Sequence, residues 1–237
     1  MSVPLHTHGT AAGITIPIVG RIARGPRRPD ERHEHIRLLD QPPSSEELSG
    51  YLAVAASFGP LERSEPTVSG LGRIDHLDDG DIVRIGANGY VRTLYRVASP
   101  HNALFATDRC NSYCLMCSQP PKPVDDERLA EHLRLLDLIS PAPRELGITG
   151  GEPTLLKDGL VQIITRAKER LPDTALHVLS NGRLFRYASF AQAIATARHP
   201  DLMIGVPLYA DIDYLHDHVV QAPVSYTHLT LPTILRV

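Results

Sequence analysis

The chain has no tryptophan, only three cysteines among its 237 residues, and no apolar run long enough to cross a membrane. Its start, MSVPLHTHGTAAGITIPIVG, lacks the basic region and following apolar run of a signal peptide. The charges nearly balance, with a formal net charge of −3, which excludes nucleic-acid binding through bulk positive charge. These absences predict a soluble, cytoplasmic protein whose partners are neither membranes nor nucleic acids.

The cysteines, Cys110, Cys114 and Cys117, fall within eight consecutive positions. A secreted disulfide scaffold spreads its cysteines along the chain, so a tight group indicates a metal site in a reducing compartment. Hydrophobic residues make up 42% of the chain, which is enough apolar material for one sizeable domain or two small ones.

Residues 1–98 are predicted to form a small β-rich N-terminal region. Within it, residues 46–58 resemble a short helix that Ser44 or Ser45 caps. Two β-rich stretches between residues 81 and 97 flank an Asn-Gly turn, which predicts a hairpin. The hairpin is interpreted either as a docking module for a partner or, preferably, as a β cap packed on the main domain.

From residue 99 onward, short apolar strands alternate with amphipathic segments. The predicted strands are 103–107, 145–149, 176–179 and 202–208. The predicted helices are 125–139, 158–171 and 187–198. This alternation implies an α/β fold of parallel βα units, arranged as an open sheet or a barrel. In either arrangement, chemistry gathers at the carboxyl ends of the strands.

The first predicted strand leads into the cysteines, which are spaced Cys-x3-Cys-x2-Cys. Three thiolates in one loop suit a four-iron cluster with one iron left open to another ligand. From the spacing alone, a zinc ion with a distant histidine as its fourth ligand is the alternative.

The next two strands end in polar turns that contain glycine. Gly150-Gly151-Glu152-Pro153 follows the second strand, and Ser180-Asn181-Gly182 follows the third. Glycines let the backbone approach a ligand closely, and a carboxylate accepts hydrogen bonds from an ammonium group. Each turn alone is consistent with an ordinary βα connection. Three polar turns at one sheet edge favour a shared site.

The cysteine loop followed by Gly-Gly-Glu-Pro resembles the radical S-adenosylmethionine (SAM) superfamily. The resemblance implies a partial (βα)6 barrel, of which about four units are present. It also implies that Cys110, Cys114 and Cys117 hold a [4Fe-4S] cluster whose open iron chelates SAM. An electron from the cluster then cleaves SAM to methionine and a 5′-deoxyadenosyl radical, which abstracts a substrate hydrogen.

The same resemblance implies roles for the other two turns. Gly150, Gly151 and Glu152 are expected to contact the SAM amino group. Ser180 and Asn181 are expected near the SAM ribose or carboxylate. The chain departs from the superfamily at the residue before the last cysteine, where a methionine replaces the usual aromatic residue.

Longer strings narrow the resemblance. CNSYCLMCSQPPK, ITGGEPTLL, LSNGR and GVPLYADIDYLHDHVVQAP resemble the His-Xaa-Ser system radical SAM maturases of the HxsC type. This implies post-translational maturation of a small His-Xaa-Ser repeat peptide, beside a second radical SAM maturase and with an electron donor. The rival hypotheses are a radical SAM enzyme acting on another protein or a small molecule, and a non-catalytic metal-binding scaffold that pairs with an active maturase.

Other polar residues are weaker candidates. His216 and His218 are expected on the surface or in a substrate groove rather than at a metal. For His33 and His35 a solvated surface is favoured over a metal site, and for His101 a packing or hydrogen-bonding role is favoured. Asp211 and Asp213 are expected at the active edge, where the substrate should lie. Tyr209, also there, is interpreted either as a hydrogen-bond donor to SAM or substrate or as a packing residue at the end of the strand.

The last fourteen residues, Val224–Val237, break the βα pattern. The string VSYTHLTLPTILRV has one charged residue, many β-branched residues and a proline, unlike the amphipathic helix expected after a fourth strand. It resembles a tail produced by translating sequencing-adapter DNA; an edge strand that closes the sheet is the alternative. On the first interpretation, residues 99–223 are a C-terminally truncated radical SAM core, residues 224–237 are non-native, and the chain is a poor catalyst.

Overall fold

The structure is a computed structural model that describes residues 5–43, 47–61, 64–123 and 128–234, with side chains as far as Thr230 in the last helix. The chain divides into two compact units. The first comprises residues 1–100 and 137–141, and the second comprises residues 101–136 and 142–237. Within the described ranges, no helix combines the length and the apolar character needed to span a bilayer.

The first unit is built on one eight-stranded sheet. In chain order the strands are β1 (His6–His8), β2 (Thr10–Ala12), β3 (Ile18–Ala23), β4 (His35–Leu39), β5 (Ala53–Ala56), β6 (Thr67–Ser69), β7 (Ile82–Ile85) and β8 (Tyr90–Tyr95). Across the sheet their order is β1-β8-β7-β3-β4-β5-β6-β2. Strands β3 to β6 pair in parallel, and the other pairs are antiparallel.

Gly9 alone separates β1 from β2, yet these strands lie at opposite ends of the strand order. The first strand pairs with β8 and the second with β6, so the sheet closes on itself through this segment. A glycine is needed because a Cβ on Gly9 would overlap the backbone oxygen of Ser69. Closure removes the unpaired edge strands that an open sheet would present.

Both faces of the central strands are buried. One face carries the apolar cluster of Ile22, Ile36, Leu38, Ala53, Ala55 and their neighbours. The intervening positions carry a second cluster, formed by Ala23, Leu39, Leu48, Tyr51, Val54 and Ala56. A strand buried on both faces has no alternation of apolar and polar residues, which explains the continuous apolar sequence of β5.

The predicted helix over residues 46–58 is wrong, because Ala53–Ala56 form strand β5. Alanine favours helix in isolation, but parallel pairing with β4 and β6 decides the outcome here. The proposed caps Ser44 and Ser45 lie outside the described residues. The predicted hairpin is confirmed as the pair β7 and β8, with Gly89 at a φ of +79° in the turn.

His76 is a buried histidine of the first unit, and neither ring nitrogen has a hydrogen-bond partner within the described structure. Burial lowers its pKa below the ordinary value of 6.5. The folded chain therefore keeps the ring neutral, whereas the unfolded chain takes up a proton below pH 6.5. The pH-dependent part of the free energy of unfolding is therefore largest above the unfolded pKa and is lost as the pH falls through the lower, folded pKa.

We expect His76→Leu to stabilise the chain by about 1–2 kcal/mol and to weaken the loss of stability in acid, because it removes two buried ring nitrogens. Thermal unfolding followed from about pH 7.5 to 5.5 measures both effects. His33→Leu, at an exposed histidine, is the matched control and should change neither. Destabilisation by His76→Leu with an unchanged pH profile would contradict this account.

From residue 101 onward the chain forms the predicted βα alternation. The elements are β9 (Ala103–Phe105), α1 (Leu129–Leu138), β10 (Glu145–Thr149), α2 (Asp158–Arg170), β11 (Ala175–Leu179), α3 (Ala188–Ala197), β12 (Leu202–Gly205), α4 (Asp213–Val220) and α5 (Ser225–Ile234). The four strands are parallel and lie in the order β9-β10-β11-β12. The α/β class and the parallel sheet are confirmed, and the partial barrel stays a prediction.

The two faces of this sheet differ in burial. Strands β10 and β11 alternate, and their buried residues are Leu146, Ile148, Leu176 and Val178. Helix α2 presents a matching buried stripe, formed by Leu160, Ile163, Ile164 and Ala167. On the opposite face, Leu179 and Met203 are each 56% exposed. Helices therefore cover one face, and the other is open at these two positions.

Two short helices follow β12, where one amphipathic helix was expected. Helix α4 buries His216 and leaves His218 exposed, so of the two positions expected for them, surface or substrate groove, the surface fits His218 and does not fit His216. Helix α5 occupies most of Val224–Val237, and the edge-strand alternative for that segment is wrong. Val224 has a φ of +56°, which is unfavourable for a β-branched residue. The foreign origin of the segment stays a prediction.

Candidate functional site

The turns after β9, β10 and β11 surround one cavity of about 510 Å³. Every residue predicted for the cofactors lines it: Cys110, Cys114, Cys117, Gly150, Gly151, Glu152, Ser180 and Asn181. The other walls include Gln119, Thr149, Leu179, Gly205, Val206, Pro207, Tyr209, His216, Val220 and Ser225. The parallel sheet explains this convergence, because it brings the carboxyl ends of successive strands to one edge.

The cysteine loop is fastened to the carboxyl end of α4. The backbone N–H of Tyr113 donates to the carbonyl of Val220, and that of Leu115 donates to Val219, each at 3.0 Å. Within the loop, the N–H of Cys117 donates to the carbonyl of Cys114 at 3.0 Å and forms a turn. The spacing of the last two cysteines is thus set by a hydrogen-bonded turn, and the loop position by α4.

Gly150 and Gly151 allow the turn after β10 to pack against the chain that leaves β9. A Cβ on Gly151 would overlap the carbonyl oxygen of Arg109. Gly150 has a φ of +140°, and a Cβ there would lie 2.6 Å from the carbonyl oxygen of Thr107. The close approach expected of these glycines is therefore made, in this structure, to the protein backbone.

We expect Gly151→Ala to destabilise the second unit by about 3 kcal/mol, since backbone atoms would have to move to admit the Cβ. Gly159→Ala in α2 is the matched control, because the nearest atoms to a Cβ there are at 3.5 Å. The control should be neutral or slightly stabilising, as alanine is the better helix former. Thermal unfolding checks the pair, and equal stability of the two variants would contradict the packing role.

Glu152 is a buried carboxylate, only 1% exposed, that joins two of the turns. Its Oε1 accepts from the backbone N–H of Thr154 at 3.0 Å, from the hydroxyl of Thr154 at 2.6 Å and from the hydroxyl of Ser180 at 2.8 Å. Its Oε2 accepts from the backbone N–H of Asn181 at 2.6 Å. Four donors hold this side chain in one orientation, with Oε2 the less occupied oxygen.

The turn after β11 is linked to the cysteine loop through Asn181. Its side-chain nitrogen donates to Oδ1 of Asn111 at 2.6 Å and to the hydroxyl of Ser112 at 3.3 Å. Sequence reasoning placed Asn181 beside the cofactor and did not foresee its contact with the loop. The two residues are 70 positions apart, and no local signal pairs them.

The sequence model of the radical SAM superfamily matches residues 104–222, about half of the chain. The chain belongs to the radical SAM superfamily. Members of this superfamily generally use a [4Fe-4S] cluster and SAM. No curated protein matches the chain at a significant level.

The donor set of this radical SAM chain fits an iron–sulfur cluster, because three thiols line one cavity and thiolates are the ligands such clusters take. Burial raises the pKa of the half-buried Cys110 and Cys114 thiols, and the charges of neighbouring acidic groups add to the effect. The described residues contain no group of three His, Cys, Asp or Glu side chains placed to hold a single metal ion. Binding of iron to these thiols must release their protons.

His216 lines the cavity, a position that fits the substrate groove named as one of its two expected positions. Its Nδ1 accepts from the backbone N–H of Tyr209 at 3.3 Å, which leaves the proton on Nε2, 3.3 Å from the hydroxyl of Ser225. Burial lowers the pKa of His216 and keeps the ring neutral. The four-residue spacing of His216 and the apolar Val220 places both on one face of α4, and this spacing was the sequence pattern that could have predicted burial of His216.

Of the remaining candidates, one lines the cavity and the others lie away from it. Tyr209 lines the cavity, where burial and the Cys114 and Cys117 thiolates raise its pKa. Asp211 and Asp213 are exposed and do not line the cavity. Away from the cavity, Nδ1 of His101 lies 2.7 Å from Oε1 of Glu145, as expected for a hydrogen-bonding role. The solvated surface expected for His35 is wrong, because His35 is buried in β4, where its Nδ1 contacts the carbonyl oxygen of Glu31 at 2.8 Å.

The Pro-Pro-Lys segment after the third cysteine folds back onto Asp108. Lys122 donates its backbone N–H to the carbonyl of Asp108 at 3.1 Å, and its ammonium lies 3.2 Å from the carboxylate. The guanidinium of Arg128 lies 3.1 Å from the other carboxylate oxygen. Asp108 thus joins the chain before the cysteine loop to the chain after it.

Proposed function

We propose that this chain is a radical SAM enzyme that binds a [4Fe-4S] cluster through Cys110, Cys114 and Cys117 and holds SAM in the same cavity. One observation carries the proposal: the three thiols and both glycine-containing turns line a single cavity of about 510 Å³. When bound, the cluster supplies the electron that cleaves the sulfonium of SAM.

Glu152 is the residue best placed to bind the SAM ammonium. Its carboxylate lines the cavity, and Oε2 accepts one hydrogen bond from the described chain, which leaves a lone pair for an ammonium donor. The surrounding burial strengthens such a charge-assisted bond. Apolar side chains of Leu179, Val206 and Pro207 line the rest of the cavity, as is usual for small-molecule sites.

The substrate we propose is a small His-Xaa-Ser repeat peptide, matured beside a second radical SAM enzyme and with an external electron donor. The strings around the cysteine loop and after β12 support this choice by their resemblance to the HxsC type. Exposed apolar side chains at Leu179, Val206, Leu208 and Tyr209 provide a surface that a peptide can contact next to the thiols.

Anaerobic reconstitution with iron and sulfide tests the enzyme proposal. We expect about four irons and four sulfides per chain, and cleavage of SAM to methionine and 5′-deoxyadenosine after reduction. One zinc per chain and no visible chromophore would support the non-catalytic scaffold instead. Gly159→Ala, which lies in α2 outside the residues that line the cavity, serves as the loading control.

The peptide proposal requires a separate experiment. Reduced, reconstituted protein is mixed with SAM and a His-Xaa-Ser repeat peptide deuterated at its histidine and serine side chains. Transfer of deuterium into 5′-deoxyadenosine would support the assignment. The control is a peptide with alanine in place of each histidine and serine. Equal SAM cleavage with both peptides, without deuterium transfer, would contradict it. The reaction is run with and without the second maturase, because the proposal includes that partner.

A further inference from the structure

A hydrogen-bonded group joins the start of the cysteine loop to the turn after β11. The carboxamide nitrogen of Asn181 lies 2.6 Å from Oδ1 of Asn111, 3.3 Å from the hydroxyl of the buried Ser112 and 3.9 Å from Sγ of Cys110, and donates its hydrogen bonds to this group. The guanidinium of Arg183 donates to the backbone carbonyl of Asn111. Two residues of one turn therefore grip the residue that directly follows Cys110.

Both the nitrogen and the oxygen of the Asn181 side-chain amide form hydrogen bonds. While its nitrogen binds the loop, its Oδ1 accepts from the backbone N–H of Arg183 at 3.1 Å. Its own backbone N–H donates to Oε2 of Glu152 at 2.6 Å. Asn181 therefore links the buried carboxylate of Glu152 to the cysteine loop. Both polar atoms of its side-chain amide are hydrogen-bonded to other residues of the protein.

We propose that Asn111, Asn181 and Arg183 form a loop clamp that positions Cys110 relative to Glu152 in the cofactor-free chain. Asn181 is then a positioning residue that acts through the loop, and its side chain does not need to touch SAM. The consequence for SAM binding rests on the proposed function, whereas the clamp itself is a property of the chain without cofactors.

The clamp is tested first on the cofactor-free protein, by the rate at which iodoacetamide alkylates Cys110 under anaerobic, reducing conditions. Cys117 is exposed and provides the internal reference in the same mass-spectrometric measurement. We expect Asn181→Ala and Asn111→Ala each to raise the Cys110 rate about tenfold, in keeping with the loss of one buried hydrogen bond. The Cys117 rate should stay the same.

Matched variants separate the clamp from general loosening of the fold. Thr196→Ala removes a side-chain hydrogen bond of 2.8 Å to the carbonyl of Gln192 on the exposed side of α3, and should leave the Cys110 rate unchanged. Asn111→Asp keeps the oxygen that accepts from Asn181, so it should retain the slow rate. A fast rate in Asn111→Asp, or an unchanged rate in Asn181→Ala, would overturn the proposal.

The double variant Asn111→Ala/Asn181→Ala should be no faster than Asn181→Ala alone, because that variant already removes the contact to Asn111. In reconstituted protein, both single variants should weaken SAM binding. A loss of SAM affinity confined to Asn181→Ala would overturn the positioning role in favour of direct contact. If the native chain assembles no cluster, the proposed function fails, while the alkylation rates still decide whether the clamp exists.

Discussion

Alanine in place of any one of Cys110, Cys114 or Cys117 is expected to abolish loading of a four-iron cluster. Each thiol supplies one ligand, and two remaining thiolates are too few to hold the cluster. Iron and sulfide per chain after anaerobic reconstitution measure the effect, together with the visible absorption of the cluster. The expected equivalence is informative because the environments differ: Cys110 and Cys114 are half-buried, whereas Cys117 is exposed.

A packing role would give a graded result instead, since an exposed cysteine contributes little to a core. Ser118→Ala, at the exposed neighbour of Cys117, is the matched control and should load iron normally. Thermal unfolding of the cofactor-free variants shows whether the fold survives each change. A single alanine variant that kept the full iron content and cleaved SAM would show that its cysteine is not a ligand.

Glu152→Gln is expected to weaken SAM binding by about tenfold to a hundredfold, because the amide lacks the charge that strengthens a bond to an ammonium. The structure adds a second effect. All four hydrogen bonds to this side chain come from donors, so the NH₂ group of glutamine must face an N–H or O–H. We therefore expect a lower melting temperature as well as weaker SAM binding.

Thr154→Val separates the two effects, because it removes one donor to Glu152 and leaves the charge in place. It should lower stability with a much smaller loss of SAM affinity. Calorimetric titration of the iron-loaded proteins with SAM gives the comparison. If Glu152→Gln bound SAM normally at normal iron content, the Gly-Gly-Glu turn would be purely structural.

The βα part of the fold could be predicted because each element carries its own signal. Helix α2 repeats apolar residues at three- and four-residue steps, and β10 and β11 alternate. The parallel order then follows from the connections. This is why three motifs separated by tens of residues could be assigned to one edge before their contacts were known.

The parts that were missed depend on contacts between distant residues. Ala53–Ala56 is a strand because β4 and β6 pair with it, although its alanines alone favour helix. The hydrogen bond between Asn111 and Asn181 joins two polar residues that are distant in sequence, and no local sequence pattern predicts that they pair. For His216 the sequence left surface and substrate groove as alternatives, because its neighbours are polar, and only the folded helix α4 shows that the ring is buried at the cavity.

The single residue between β1 and β2 has a consequence for the order of events during synthesis. The segment His6–Ala12 leaves the ribosome before its partners, β6 at Thr67–Ser69 and β8 at Tyr90–Tyr95. Its pairing cannot be complete until both have emerged, so a segment that is made before its partners reaches its final position after them. Contacts of such long sequence separation slow folding. Until β8 appears, the growing sheet exposes two unpaired edges, and a chaperone that shields them would raise the yield of native protein.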